Sequence, residues 1–298
     1  MEIALGLPQT GTHTSREYVI EFARAAEDAG YDALSVADHV VMPRQYTSSH
    51  PDRPDGKLPA HFRTDRNLLE PLTLLAFVAS VTEHIRLGTA VLVLPMRQPV
   101  LHAKVIASID HLAGSGRIYL GAGIGWCREE FEVLSAPFRR RGAHIEEQIA
   151  LLRGLWTGEA ITHQGEFYQV DGWISRPAPV EPIPIWLGGA TEASFRRAGQ
   201  IADGWFAGIY RLPTFREDVA AVRRAAEEAG RNPDALTYGM GGLPRLAEGQ
   251  EEETARALRS AAELGVQHGR IGVEAPPDRS AELITSFAEK YLDDLHDA

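Results

Sequence analysis

The chain has 298 residues, room for two average domains or for one α/β barrel, and its 44% hydrophobic content is that of a globular protein with a substantial core. Thirty Lys and Arg against 41 Asp and Glu leave a net charge of −11, which argues against a nucleic-acid or anionic-membrane partner, so any anionic ligand must be held by local donors. The single cysteine, Cys127, cannot close an intramolecular disulfide, no basic and apolar leader precedes the first strand, and no apolar run approaches the ~18 residues of a membrane span; together these predict a cytoplasmic protein.

In chain order, a first strand begins at Glu2, and Thr14 with Glu17 three places on predicts a capping box opening a helix. Tyr18, Phe22 and Ala26 share one face of that helix, and Gly30 closes it. The apolar run Leu34 to Ala37 reads as a strand that stops at the ionisable pair Asp38 and His39. Residues 42–67, containing HPDRPDGKLPAHFRTD, are too long for an idle connection and form a candidate lid. A helix over Leu68 to Thr82, a strand over Ile85 to Leu94, a helix over Pro99 to Leu112 and a strand over Arg117 to Gly121 follow. Cys127 to Trp156 is a long helical region broken near Pro137, and EAITHQGEFYQVDGW (159–173) alternates about Gly165 as an inserted hairpin. The remaining strands are Ile183 to Leu187, Ala202 to Phe206, Ala235 to Met240 and Gly269 to Val273. The helices lie near Glu192 and over Thr214 to Ala229, Glu251 to Leu264 and Ser280 to Leu292.

Three phrases, AAEDAGYDALSV, AAEEAGRNPDALTY and AAELGVQHGRIGV, repeat the sequence of Ala-rich helix end, glycine and apolar strand, which is the αβ half of a βα unit. Eight alternations with no Pro/Gly/Ser-rich linker predict an α/β fold, a (β/α)8 TIM barrel over 1–298, with insertions at about 42–67 and 159–173.

In such a barrel the carboxyl ends of the strands carry the chemistry. Asp38 and His39 stand there, either as a structural pair or as part of a site, whereas Asp110 and His111 end a helix and read as structural. GAGIGW (121–126) lets a flat or phosphorylated ligand approach the backbone, but lacks the third glycine of a dinucleotide fingerprint. In WLGGATEASFRR, Gly188, Gly189 and Thr191 at a helix start suit a phosphate with Arg196 and Arg197 nearby; the other reading is a capped helix with solvated arginines. The eleven histidines form no metal-ligand spacing and no G-x-S-x-G elbow is present. Cys127 lines the pocket at most, and the run Arg139 to Arg141 reads as a solvated helix face or a helix contact.

LSVADHVVMP, the stretch from EPLTLLAFVASVTEHIRLGTAVLVLP through GRIYLGAGIGWCREEF, and PIPIWLGGATEASFRRAGQIADGWF resemble, in order and over nearly the whole chain, the luciferase-like monooxygenase superfamily, in the branch assigned to the deazaflavin coenzyme F420. The resemblance implies a (β/α)8 barrel, commonly a homodimer, holding a flavin or deazaflavin across its carboxyl end. It places His39 near the reactive face of the ring, with Asp38 beside it. It matches Thr89, Ala90 and Val91 to a third-strand bulge with a non-prolyl cis peptide, placed at Ala90–Val91, that backs the ring. Gly123, Ile124 and Gly125 match the loop beside the cofactor, and Gly188, Gly189 and Ala190 the loop at its phosphate. Related sugar-phosphate dehydrogenases have an acidic glutamate where this chain has Trp126, so Trp126 is expected instead to shape an apolar substrate wall.

The expected activity is hydride transfer between coenzyme F420 and a small organic substrate, with His39 stabilising or protonating the charge formed and Asp38 orienting it or binding backbone amides. One alternative is a monooxygenase using reduced FMN and O₂, since FMN ends in a compact phosphate whereas the oligoglutamate tail of F420 needs an open basic groove. Another is a flavin-binding barrel without turnover.

Overall fold

Eight parallel strands close a barrel. The structure is a computed structural model and describes residues 1–51, 55–57 and 66–298. In chain order the elements are β1 (Glu2–Gly6), β2 (Thr10–Gly11), α1 (Arg16–Asp28), β3 (Ala33–Val36), β4 (Asn67–Leu68), α2 (Pro71–Ala79), β5 (Arg86–Val93), α3 (Pro99–Ala113) and β6 (Ile118–Gly123). Then come α4 (Arg128–Val133), α5 (Arg141–Leu155), β7 (Ile161–Gln164), β8 (Gln169–Trp173), β9 (Ile185–Gly188), α6 (Glu192–Ile201) and β10 (Gly204–Gly208). The chain ends with α7 (Phe215–Glu228), β11 (Thr237–Ala247), α8 (Glu251–Glu263), β12 (His268–Glu274) and α9 (Pro277–His296). The barrel strands neighbour one another in the order β1-β12-β11-β10-β9-β6-β5-β3, and the predicted (β/α)8 TIM barrel is therefore the fold.

Outside the barrel, β2 pairs with β4, and β7 pairs antiparallel with β8 over the segment 159–173. Residues 42–51 carry no helix or strand; within the segment read as a lid, 52–54 and 58–65 lie outside the described residues.

Several boundaries differ from expectation for local reasons. The cap of α1 is Ser15, not Thr14: the Ser15 hydroxyl accepts the Tyr18 amide at 3.1 Å, and with the helix starting one residue later Glu17 is not placed for a capping box. The region 127–156 divides into α4 and α5 around 134–140, where Ser135 and Arg140 take positive φ. Strand β11 continues beyond Met240 to Ala247, because its pairing with β12 survives two register shifts, one between Gly241 and Leu243 and one between Leu243 and Leu246.

Most of the apolar core lies between the strands and the helices around them. Inside the barrel, Tyr119, Trp186 and His268 plug the amino-terminal part, with ring centroids 4.7 to 5.6 Å apart. A Cβ at Gly88 would stand 2.2 Å from the Tyr119 ring, so the plug requires bare backbone on the adjoining strand. Towards the carboxyl ends the inward positions become glycines, Gly121, Gly123 and Gly188, and the interior opens into a cavity of about 330 Å³.

Candidate active site

Strand β3 releases the chain at Ala37, which Gln9 brackets: Gln9 Oε1 accepts the Ala37 amide at 2.8 Å and Gln9 Nε2 donates to the Ala37 carbonyl at 2.7 Å. The next two residues diverge. Asp38 is a clamp: its Oδ2 accepts the Val93 amide (2.8 Å) and Arg97 Nε (3.2 Å), and its Oδ1 accepts Arg97 Nη2 (2.7 Å). Both carboxylate oxygens are engaged by the end of β5 and by Arg97, so Asp38 does not hold His39, and of its two expected roles the amide-binding one is present. Burial opposes the charge of Arg97, but Asp38 and Glu70 outweigh it and raise the guanidinium's affinity for its proton.

His39 is held from elsewhere. Its Nδ1 lies 2.9 Å from Oε2 of Glu130 in α4, while Oε1 of the same carboxylate accepts the amides of Val40 (2.6 Å) and Val41 (3.3 Å). Glu130 is 2% exposed and His39 is 9% exposed. A carboxylate only accepts, so Nδ1 carries the proton in this pair. Sequence reasoning missed Glu130. Its signal is the spacing Cys127, Glu130, Phe131 and Leu134, which sets a carboxylate on the inward face of a short helix.

The cavity has two unlike sides. One is nearly bare backbone, made of Ala90 and Val91 on β5, Gly123, Ile124 and Gly125 after β6, and Gly188, Gly189 and Ala190 after β9. The Ala90–Val91 peptide is cis, at the point where β5 shifts register against β6. Gly121 makes room for that bulge, since a Cβ there would stand 2.0 Å from the Thr89 carbonyl oxygen. The other side carries Ala37 to His39 and, from β12, Arg270, a lining residue the sequence reading did not pick out. Its signal is a guanidinium inside the otherwise small and apolar strand GRIGV.

Some expected site residues do not line the cavity. Thr89 is buried and donates from Oγ1 to the Gly121 carbonyl (2.7 Å), fastening the bulge to β6. Thr191 caps α6 in a reciprocal capping box with Ser194. Of the arginines offered for a phosphate, Arg197 pairs with Glu146 at 2.8 Å and Arg196 is exposed, and neither lines the cavity beside Gly188 to Ala190. Cys127 is not on the cavity wall: it is buried at the start of α4 with Sγ 3.5 Å from Glu129 Oε2, and burial pushes its thiol up to about 11. Asp110 lies buried at the end of α3, away from the cavity, as its structural reading expects. In the arginine run, Arg140 pairs with Glu166 of the hairpin and Arg141 stacks 3.6 Å over Phe138, so these side chains fasten the α4–α5 connection.

Trp126 joins the site to the segment above it. Its ring lies 6.0 Å from His39, edge to face, 5.0 Å from His50 and 6.0 Å from Tyr46. Glu129 fixes the same segment, accepting the Thr47 and Ser48 amides (2.6 and 3.2 Å) and both hydroxyls (2.9 and 2.7 Å). Burial works against the Glu129 charge, but these donors prevail and hold its carboxyl well below the usual range. Among the described residues, no group of three or more His, Cys, Asp or Glu side chains is placed to hold a metal ion. Nor is any helix of those residues long and apolar enough to cross a membrane.

The profile of the luciferase-like monooxygenase family matches residues 3–291. The chain belongs to that family. Among relatives of this luciferase-like chain, an uncharacterized protein of Mycobacterium tuberculosis (strain H37Rv) is 38% identical over 218 residues, 73% of this chain and 74% of the relative. The F420-dependent glucose-6-phosphate dehydrogenase of Nakamurella multipartita is 34% identical over 223 residues, 72% of this chain and 60% of that one. A solved F420-dependent secondary alcohol dehydrogenase, in complex with an F420–acetone adduct, superposes with a TM-score of 0.78 at 16% identity, covering 96% of this chain and 97% of its own; the likeness is one of fold.

Proposed function

We propose that this luciferase-like chain is an oxidoreductase that transfers hydride between coenzyme F420 and a small organic substrate. The observation that carries the reading is the pairing of His39 with buried Glu130 at a cavity lined in large part by bare backbone. The residues present fit a planar ring: Gly123, Gly188 and Gly189 project no side chain, and a Cβ at Gly123 would already press Val91 at 2.7 Å. The F420-dependent relative at 34% identity supports the choice of coenzyme. Ala90, Val91 and Gly123 to Gly125 would hold the ring, and the Gly188–Ala190 backbone its phosphate.

When bound, the deazaflavin supplies or takes up the hydride. His39, oriented through Nδ1 by Glu130, gives a proton to the substrate atom that gains negative charge, or removes one in the reverse direction, at Nε2. Asp38 and Arg97 fix the end of β5 and so the edge of the ring-binding side. Trp126 and His50 cover the mouth and exclude water from the reacting atoms.

A second reading, a monooxygenase using reduced FMN and O₂, is favoured by one observation. Arg97 and Arg197 are paired with Asp38, Glu70 and Glu146, which leaves them no charge to offer an oligoglutamate tail. Titration of the purified protein with F420 and FMN, oxidised and reduced, followed by spectra with and without O₂, separates the two. Tight F420 binding and a reduced complex stable in air are expected. FMN binding with rapid oxygen consumption supports the second reading, and no binding of either coenzyme refutes both.

A further inference from the structure

The guanidinium of Arg270 occupies the barrel interior beside the cavity without a counter-charge. Its Nε donates to Ser35 Oγ at 2.6 Å, and among the described residues no Asp or Glu forms an ion pair with it. Arg97 has Asp38 and Glu70, Arg197 has Glu146, and Arg211 has Asp218 at 2.6 Å. Arg117, buried without an ion pair, instead donates to the carbonyls of Ile85, Thr82 and Ala113 and to the Thr82 hydroxyl, whereas among the described residues Arg270 donates to Ser35 alone. Burial depresses the proton affinity of Arg270, the cation Arg245 adds to that, and the Tyr119 phenol opposes it without reversing it. A guanidinium remains charged even so, and a desolvated charge with one hydroxyl partner is a costly arrangement unless a ligand completes it.

The backbone is shaped around this side chain. Gly6 ends β1 where a Cβ would stand 2.7 Å from Arg270 Nη2, so the guanidinium lies over bare backbone between β12, β1 and β3. In the barrel order β12 stands across from β6, which carries part of the glycine-lined side, and two strands from β3, at whose end Ala37 to His39 arise.

We propose that Arg270 is the anion-recognition residue of this cavity and that the substrate carries a carboxylate, gripped by the free fork of the guanidinium on the His39 side. This rests on the reading above in one respect, that the planar coenzyme takes the glycine-lined side. Arg270 then fixes the substrate's orientation, and its planar fork discriminates an anionic group from a neutral isostere of the same shape. The strongly acidic surface of the chain does not oppose such a ligand, because the charge that binds it lies inside the barrel.

The test is calorimetric titration with benzoate and with benzamide, its neutral isostere, in the presence and absence of oxidised F420, using the wild type, Arg270→Gln and Arg270→Lys. The wild type should prefer benzoate by roughly 10-fold or more, as charge-assisted hydrogen bonds exceed neutral ones. Arg270→Gln should abolish the preference and Arg270→Lys retain part of it, with F420 and FMN affinities unchanged in both. If Arg270→Gln does not fold by thermal melting, Gly6→Ala, which displaces Nη2, should produce the same loss. Equal binding of benzoate and benzamide by the wild type in both conditions overturns the proposal. So does a parallel loss of coenzyme and benzoate affinity in Arg270→Gln, which assigns the guanidinium to the coenzyme. Absence of coenzyme binding alone refutes the functional reading but leaves the benzoate comparison intact.

Discussion

Replacing Glu130 with Gln probes the positioning of His39 with the least steric change. Glu130 accepts three hydrogen bonds, from His39 Nδ1 at 2.9 Å and from the amides of Val40 at 2.6 Å and Val41 at 3.3 Å. A glutamine oxygen can keep the two amide donors, so the local backbone is retained; its NH₂ group then faces His39 and presents a donor to Nδ1, which in the native pair is itself the donor. The imidazole must turn away or adopt the other tautomer, with Nδ1 accepting and Nε2 protonated. Losing one charge-assisted hydrogen bond costs about 1.5 to 3 kcal/mol. If that loss falls on the transition state, turnover falls by roughly 10- to 100-fold, since each 1.36 kcal/mol is tenfold. The assay is single-turnover oxidation of bound reduced coenzyme, with coenzyme affinity measured separately by fluorescence titration. A fall in rate with affinity unchanged is expected. An unchanged rate, or a rate and an affinity that fall together, would refute the claim that Glu130 acts through His39.

Other perturbations separate the parts of the site. His39→Ala should cut turnover by ~10²- to 10⁴-fold while coenzyme affinity changes little, and a fully active variant removes His39 from the mechanism. Arg97→Met leaves the Asp38 carboxylate, whose side chain is fully buried, without its partner, and chemical denaturation should show a loss of about 3 to 5 kcal/mol; a change under 1 kcal/mol would mean the pair is not buried as described. The contribution of Glu129 depends on pH. Its carboxyl is depressed by the Thr47 and Ser48 donors, so the stabilisation is complete above the ordinary carboxylate range near 4.3 and is lost as pH falls through the lower folded value. Limited proteolysis at neutral pH should therefore be slow across 47–51 in the wild type and faster in Glu129→Gln, whereas equal rates would show that Glu129 does not dock the segment.

Hydrophobic periodicity and helix-ending glycines determine the order of elements in this chain, because those signals act over a few neighbouring residues. The count of eight alternations, the break near Pro137 and the register of the hairpin about Gly165 are all local matters. The position of His39 at a strand end is equally local, and so are the glycines beside the cavity. Partnership is decided elsewhere. Asp38 and His39 are adjacent in sequence, yet one turns to Arg97 and the other to Glu130, 91 positions away. Thr89, Cys127 and Thr191 occur in the expected motifs but do not line the cavity, since a residue's distance along a strand or turn does not fix which way it faces after a bulge or a helix start. Arg270 shows the same division: composition reveals a charge in an apolar strand, but only barrel closure brings Ser35 to its Nε and the bare backbone of Gly6 beneath its Nη2. Closure joins β12 to β1 and so brings Arg270 to Ser35 across 235 positions, and no local pattern can encode which side chains that long-range pairing leaves without a counter-charge.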